Sequence, residues 1–191
     1  MRVHTLLLNA GAAALIGLGT ALSAGTASAA AKNPMVGGAP MYPSKNIVQN
    51  AVNSKDHTTL VAAVKAAGLV ETLSGPGPFT VFAPTNAAFG QLPKGTVETL
   101  LKPENKATLT KVLTYHVVPA SVMAGDLVKM IKADGGKHAI KTVSGDMLYA
   151  TLKDGSVFIT DESGRTSKVT IANVRQSNGV IHVVDTVLLP K

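Results

Sequence analysis

The pattern of apolar positions divides the chain into a helical first half and an alternating, strand-like second half. In the first half, Leu60, Val61, Val64 and Ala67 recur at helical spacing and fall on one face of a helix that ends at Gly68. Beyond residue 136, apolar and polar residues alternate with the period of two that is typical of strands. A helical half followed by a strand-rich half predicts an α+β domain.

The first half contains several start and stop signals for helices. Ser44 is predicted to cap a first helix with an apolar face made of Ile47, Val48, Ala51 and Val52. The run of proline and glycine at 74–78 interrupts regular structure and precedes a short apolar strand at 79–83. Three further helices are predicted at the positions 97–101, 103–113 and 121–132.

Five strands are predicted in the second half. Gly135 and Gly136 stop the last helix, and turn signals rich in Gly, Asp, Asn and Ser separate the strands from one another. The predicted strands cover 138–143, 147–152, 157–160, 168–174 and 180–189.

The N-terminal residues are predicted to form an export signal. Arg2 supplies a positive charge, residues 5–31 carry none, and Ala27-Ser28-Ala29 is a small-x-small cleavage site. The prediction is a signal peptide over 1–29, with cleavage as late as 31, and a secreted or periplasmic product that is not stably inserted in a membrane. Retention of the leader as an anchor is the alternative, since a spanning helix needs about 20 apolar residues.

Residues 32–44 are predicted to be a linker, and residues 45–191 a single domain. The linker segment has three prolines, two adjacent glycines and no regular periodicity. Its two methionines, Met35 and Met41, lack a nearby histidine and make a poor copper site. The chain has no cysteine, so the domain is held by its core and hydrogen bonds, and thiol catalysis and thiolate metal sites are excluded.

The charge is strongly positive. The formal net charge is +7, and loss of Arg2 on processing leaves 7 − 1 = +6, which favours acidic partners. Nucleic acid is not predicted as a partner, because the chain has only three Tyr and four Phe and no Trp. One local excess of basic residues, with only Asp134 as an acidic neighbour, is a candidate contact for a polyanion. The favoured alternative is that these residues are simply the solvent-facing side of a helix end and a strand. The excess consists of Lys129, Lys132, Lys137, His138 and Lys141.

Catalytic signatures are missing from the sequence. It has no Gly-x-Ser-x-Gly elbow, His-Glu-x-x-His motif, phosphate-binding loop or dinucleotide fingerprint. His182 and Asp185 lie on opposite faces of one strand, so His182 is predicted to be partly buried and bonded to the backbone, and Asp185 to accept backbone N–H groups. No catalytic residue, metal or cofactor is predicted. A hydrolase that uses His116 or His182 with a neighbouring acid is a weaker alternative.

Three motifs in order resemble the fasciclin domain family. They are the segment from Thr80 to Phe89, the pair Tyr115-His116 within an apolar run, and the segment from Gly179 to Pro190. The resemblance covers residues 46–190. It implies a wedge of two β-sheets with helices packed along one side, and an extracytoplasmic adhesion or recognition module.

The resemblance also indicates roles for individual residues. In animal members the region around the Tyr-His pair is associated with integrin-dependent adhesion, and a strand here would present at most one of the two rings. A structural role for the pair is the favoured interpretation. Phe82 and Phe89 are predicted core residues, and Thr85 or Asn86 is predicted to cap a helical turn. The candidate binding residues are Leu113, Tyr115, His116, Val117 and Val118, and the motif residues with structural roles are Thr80, Phe82, Ala83, Pro84, Thr85, Asn86, Phe89, Gly179, His182 and Asp185.

The sequence thus favours a non-catalytic binding module for adhesion or for contact with matrix, host or envelope components. The expected partner is a surface or matrix protein or a glycan, and the expected state is a monomer or a weakly self-associating protein. The alternative is a polyanion or carbohydrate binder that uses the basic residues between Lys129 and Lys141.

Overall fold

The computed structural model describes residues 33–191, in which nine strands and seven α-helices are seen. The strands are β1 (Met35–Val36), β2 (Ala39–Pro40), β3 (Phe79–Pro84), β4 (Val117–Val118), β5 (Lys137–Lys141), β6 (Met147–Lys153), β7 (Ser156–Thr160), β8 (Thr166–Gln176) and β9 (Gly179–Val184). The helices are α1 (Ile47–Ala51), α2 (Thr58–Ala67), α3 (Val70–Ser74), α4 (Asn86–Gly90), α5 (Thr96–Leu100), α6 (Lys106–Tyr115) and α7 (Ala124–Ala133). Short 3₁₀ helices cover Lys55–His57 and Pro103–Asn105.

Two segments a hundred residues apart in the chain form adjacent strands at the centre of the sheet. β3 and β9 pair in parallel, from Phe79 opposite Gly179 to Pro84 opposite Val184. Both strands are buried along almost their whole length, and both of their faces are covered. Strands buried on two faces have nearly continuous apolar sequences, which explains the composition of both motifs.

The remaining strands extend the sheet on either side in the order β4-β3-β9-β8-β7-β6-β5. β8 belongs to two sheets, because its first residues pair with β7 and the rest pair with β9. The partner changes between Lys168 and Val169, and register shifts follow within the β8–β9 pairing, between Val169 and Val174. Bulges of this kind bend a strand. The prediction of an α+β fold with two β-sheets and helices is confirmed.

Two hydrophobic clusters cover the two faces of the β3–β9 pair. Val81 and Ile181 face the first cluster, which includes buried residues from α1, α2, α3 and α6. Phe82 and Val184 face the second, where α7 packs over β5, β6 and β7. Alternation along the strands directs successive side chains to opposite clusters. The prediction that Phe82 and Phe89 are core residues is confirmed, since their side chains are 1% and 7% exposed.

Most predicted helices are present, with three corrections at their starts. Asn46, rather than Ser44, caps α1, because its side chain accepts from Gln49 N while Gln49 Oε1 accepts from Asn46 N. The helix predicted from Pro103 is a 3₁₀ turn followed by α6. The last helix starts at Ala124 rather than at 121, because Ala120 and Val122 bond to the Thr80 hydroxyl.

Thr85 caps α4 as predicted, with its hydroxyl accepting from Ala88 N at 3.2 Å. Asn86 has a different role, which joins α4 to the preceding helical region. Its amide oxygen accepts from Thr59 N at 3.0 Å, and its amide nitrogen donates to Lys55 O at 2.8 Å. The turn after β3 is thus held both by a cap and by a long-range side-chain contact.

The linker predicted over 32–44 is wrong for the part that the structure describes. Residues 35–40 form the hairpin β1–β2, and Val36 and Met41 are buried in the first cluster. Two buried apolar side chains hold this segment against the domain. The predicted signal peptide and its cleavage sites lie outside the described residues. Between residues 33 and 191, no helix is long and apolar enough to cross a membrane.

Gly179 provides a test of the central strand pair. A Cβ atom at this position would lie 2.0 Å from Phe79 O, and main-chain atoms cannot swing away as a flexible side chain can. We expect Gly179→Ala to lower the free energy of unfolding by about 1–3 kcal/mol, measured by urea denaturation. Gly125→Ala in α7 is the matched control, since nothing lies within 4 Å of its Cβ position. Equal stability of the two variants would contradict the close approach of β3 and β9.

Candidate functional site

Tyr115 and His116 are at the end of a helix, not on a strand. Tyr115 is the last residue of α6 and His116 is its C-cap. Both side chains are buried, at 0% and 2% exposed, so the strand geometry expected for this pair is wrong and neither ring reaches the surface. Leu113, Val117 and Val118 are also buried. A binding role for these five residues stays a prediction, and their side chains offer no exposed contact in this fold.

The hydrogen bonds of the pair connect distant segments of the chain. The Tyr115 hydroxyl donates to Met147 O at 2.8 Å and accepts from Glu162 N at 3.2 Å. His116 donates from Nδ1 to Val112 O at 2.8 Å, while its Nε2 accepts from Leu188 N at 3.1 Å. The Tyr-His pair therefore ties the end of α6 to β6, to the turn after β7 and to the segment after β9.

His182 and Asp185 have the structural roles that the strand pattern predicts. The His182 side chain is fully buried, stacks on Phe82 with 5.7 Å between ring centroids, and bonds to Val122 O and Asn173 N. Asp185 accepts from Lys168 N at 2.8 Å. The two side chains have separate partners, so they do not form an acid–base pair.

His57 and Asn178 are structural residues that sequence reasoning missed. His57 accepts from the Ser54 hydroxyl at 2.9 Å and directs its other ring nitrogen toward Ala83 O at 3.4 Å. Asn178 donates to Leu73 O and Gly75 O and accepts from Ile47 N. Their partners lie 26 to 131 residues away along the chain, apart from Ser54, and no local pattern signals such contacts.

Burial keeps three histidines neutral. Desolvation is the main cause that lowers the pKa of His57 and of His182, and it lowers the pKa of His116 to about 4. Each ring donates from one nitrogen and accepts at the other, and only the neutral imidazole does both. Burial likewise raises the pKa of Tyr115 to about 12. These four groups are held in their uncharged forms by the fold.

The five candidate polyanion contacts lie on two sides of a sheet. Lys129 and Lys132 are exposed on α7, which packs against the inner side of β5 to β7. Lys137 and Lys141 are exposed on the opposite side of β5, because they alternate with the buried Ile140. His138 faces inward and pairs with Asp134 at 2.6 Å. The five residues therefore do not form one continuous surface, and their contact with a polyanion stays a prediction.

A different basic surface is formed by the outward positions of β5 to β8, called here the outer face. The register places Lys137, Thr151, Phe158 and Lys168 in one row across the four strands. The neighbouring row contains Ala139, Tyr149, Thr160 and Thr166. Lys141 and Lys153 lie at the ends of β5 and β6. None of these ten residues is buried.

The sequence contains a signal for this surface, although sequence reasoning missed Tyr149, Lys153, Phe158 and Lys168. Each occupies an outward position of a strand in which buried and exposed residues alternate. Only the strand register shows that the outward positions of the four strands lie on one face. In the part of the chain that the structure covers, no group of three or more histidines and carboxylates has the arrangement of a metal site.

The buried histidines predict that stability depends on pH. Their pKa values are lower in the folded state than the ordinary 6.5, so below that pH the unfolded state binds more protons. The free energy of unfolding is expected to be highest above pH 6.5 and to fall toward pH 4, with about 3 kcal/mol from His116. Urea denaturation at about pH 7.5, 6 and 4.5 measures this, and His116→Gln should reduce the slope. An unchanged slope in that variant would contradict the assignment.

Comparisons with known proteins agree with this architecture. Residues 55–190 match the model of the Fasciclin domain. Protein sll1483 of Synechocystis sp. is 48% identical over 161 residues, which cover 83% of this chain and 81% of that protein. Immunogenic protein MPB70 of Mycobacterium bovis is 33% identical over 178 residues, covering 90% of this chain and 83% of that protein.

A solved structure shows the same fold. The FAS1 domain pair from the insect cell adhesion molecule fasciclin I aligns with a TM-score of 0.67 and 18% identity, over 76% of this chain and 51% of that one. Fasciclin domains are adhesion-related extracellular modules, and the family is generally non-enzymatic. The family match covers most of the described residues and includes all three motifs at the centre of the fold. The chain belongs to the fasciclin domain family.

Proposed function

We propose that this protein is a non-catalytic binding module that acts outside the cytoplasm, in surface adhesion or in contact with matrix, host or envelope components. The observation that supports this most directly is that the buried polar side chains of the motifs bond to the main chain. Tyr115, His116 and His182 bond to main-chain atoms of distant segments, and so they build the fold rather than a reaction site. Function is then expected at the exposed surface, as in a recognition module.

The geometry gives little support to the hydrolase alternative. Neither His116 nor His182 has an acidic partner within hydrogen-bond distance. Ser54 and His57 do form a hydroxyl–imidazole pair, but both are buried next to Gly37 of the β1–β2 turn, where a substrate has no access. The partly exposed pair His138–Asp134 has no hydroxyl among the hydrogen bonds to the histidine ring in residues 33–191. A general base must act on a nucleophile that a substrate can reach, and none of these histidines is bonded to such a nucleophile.

One fasciclin domain, as matched over residues 55–190, makes one contact at a time. Bridging two surfaces requires a second contact, such as weak self-association or retention of one end at a surface. We therefore propose a protein that occupies sites on a surface or matrix polymer, as a monomer or a weakly associating species, without stable insertion in a membrane. The partner is a protein or a glycan, and nucleic acid is not part of the proposal.

The proposed location is secreted or periplasmic. The support is the positively charged, apolar leader with its small-x-small site at Ala27-Ser28-Ala29. We expect the exported protein to begin at residue 30, or as late as 32, which mass spectrometry of the intact protein measures. Recovery of the uncleaved chain in the membrane fraction would instead support retention as an anchor.

Binding is tested with the purified protein on immobilised envelope, matrix and host-surface material at about 0.05 and 0.3 M salt. We expect saturable retention of the protein on at least one of these materials. The wild-type protein after heat denaturation is the control for non-specific adsorption. Absence of saturable retention on all three materials would contradict the proposed function.

A further inference from the structure

We propose that the outer face of β5 to β8 binds an acidic polysaccharide, one that carries carboxylate or sulfate groups on its sugars. This inference rests on the proposed function, because it names the ligand class and the surface that a binding module of this kind would use. The surface differs from the basic residues predicted from sequence between Lys129 and Lys141, which lie on two sides of the sheet.

The outer face presents four ammonium groups around a central area. Lys137 and Lys168 are at the two ends of one row, three strand spacings apart, or about 14 Å between their backbones. Lys141 and Lys153 lie on either side of that row, at the ends of β5 and β6. All four side chains are exposed, so a linear anionic polymer laid across the strands would meet several of them at once.

No outward position on these four strands carries a carboxylate, and four of the five carboxylates near the edges of the face are engaged elsewhere. Asp134 pairs with His138, and Asp146 lies 3.6 Å from Lys111. Asp161 is buried and accepts from the backbone N–H groups of Ser163, Arg165 and Leu189. Glu162 accepts from Met147 N at 3.1 Å, and Asp154 lies in the exposed β6–β7 turn. The formal charges at the outward positions of these four strands are therefore all positive, and the carboxylates lie around them.

Two aromatic rings lie between the lysines and belong to neither hydrophobic cluster. Tyr149 and Phe158 are partly exposed on adjacent strands, as Tyr42 is near α1, whereas the other four aromatic residues are buried or pack against the first cluster. Only seven aromatic residues occur in the chain, so two of them on an open face call for an explanation. An exposed aromatic ring stacks on the C–H face of a sugar, which gives the face a contact that simple charge attraction lacks.

Hydroxyl groups alternate with the rings in the same area. Thr151 is directly opposite Phe158, and Thr160 is directly opposite Tyr149, so rings and hydroxyls occupy alternate corners of a square. Lys137 Nζ lies 4.1 Å from the centroid of Tyr149, a cation–π contact that covers one face of this ring. Rings, hydroxyls and ammonium groups together match the C–H faces, hydroxyls and acidic groups of a charged sugar.

An open concavity of about 540 Å³ continues this surface at one end of β6 and β7. Lys137, Tyr149, Thr160 and Lys191 line it, together with Asp161, Glu162 and Gly164. Its volume is within the range of sites that take small ligands, about 300–1,000 Å³, and so suits one or two sugar units of a longer chain.

Protection of a sheet edge explains only part of this surface. β5 is the edge strand of the seven-stranded sheet, and lysines on edge strands discourage pairing between molecules. Lys153 and Lys168 are on interior strands, where no such protection is needed, and the rings of Tyr149 and Phe158 would promote rather than prevent association. An acidic glycan accounts for charges, rings and hydroxyls together.

The experiment measures affinity of the full-length exported protein for polygalacturonate and dextran sulfate, with neutral dextran as the uncharged comparison, by titration calorimetry at low salt. Lys137→Gln/Lys168→Gln should weaken binding roughly tenfold, because each exposed ion pair contributes up to about 1 kcal/mol. Phe158→Thr keeps the charge and a strand-forming residue, and should weaken binding about fivefold through lost stacking. Thermal unfolding confirms that each variant folds.

Lys129→Gln/Lys132→Gln is the matched control, because it removes the same charge from α7 on the other side of the sheet. Its affinity should stay within about twofold of the wild type.

Equal losses in both double variants, or no loss in Phe158→Thr, would overturn the proposal and leave only a basic protein. Comparable or tighter binding of single-stranded DNA or anionic vesicles would also overturn it. Saturable retention on envelope or matrix material without polysaccharide affinity would overturn this inference while the proposed function stands.

Discussion

The parallel pairing of β3 with β9 is the constraint on which the rest of the fold depends. The pair joins segments a hundred residues apart, and each face of it supports a separate hydrophobic cluster. Main-chain atoms approach so closely at its start that Gly77 and Gly179 have no room for a side chain. A change at this contact would disturb both clusters, because each strand contributes alternate residues to each.

The polar residues of the motifs extend this constraint to the surrounding segments. Thr80 and His182 hold the chain at Ala120 and Val122 before α7, while His116 holds Leu188 after β9. Buried donors and acceptors that lose a partner are costly, so these contacts position the connecting segments as strictly as the apolar packing does. The conspicuous residues of the motifs thus hold the fold together. The outer face, which we propose as the ligand surface, has lysines, rings and hydroxyls that the fold does not use.

Sequence reasoning located most of the elements because their signals are local. Gly68 ends α2, Thr85 caps α4, and alternation marks β5 to β8. It failed where the outcome depends on distant partners. Tyr115 and His116 lie in an apolar run that suits a strand, but α6 continues through Tyr115 and burial of both rings comes from β6 and the segment after β9. Residues 35–41, rich in glycine and proline, dock through Val36 and Met41 on a surface that only the folded domain provides.

The sequence by itself determined the family, the α+β class and the structural roles of His182, Asp185 and Phe82, since these follow from motifs and from alternation within one strand. The tertiary structure decided which side chains are exposed together. Lys129 and Lys137 are close in sequence but lie on opposite sides of a sheet, whereas Lys137 and Lys168 share one row across four strands. The physical reason is that a binding surface is built by strand register, which depends on hydrogen bonds and packing between segments that the linear pattern does not relate.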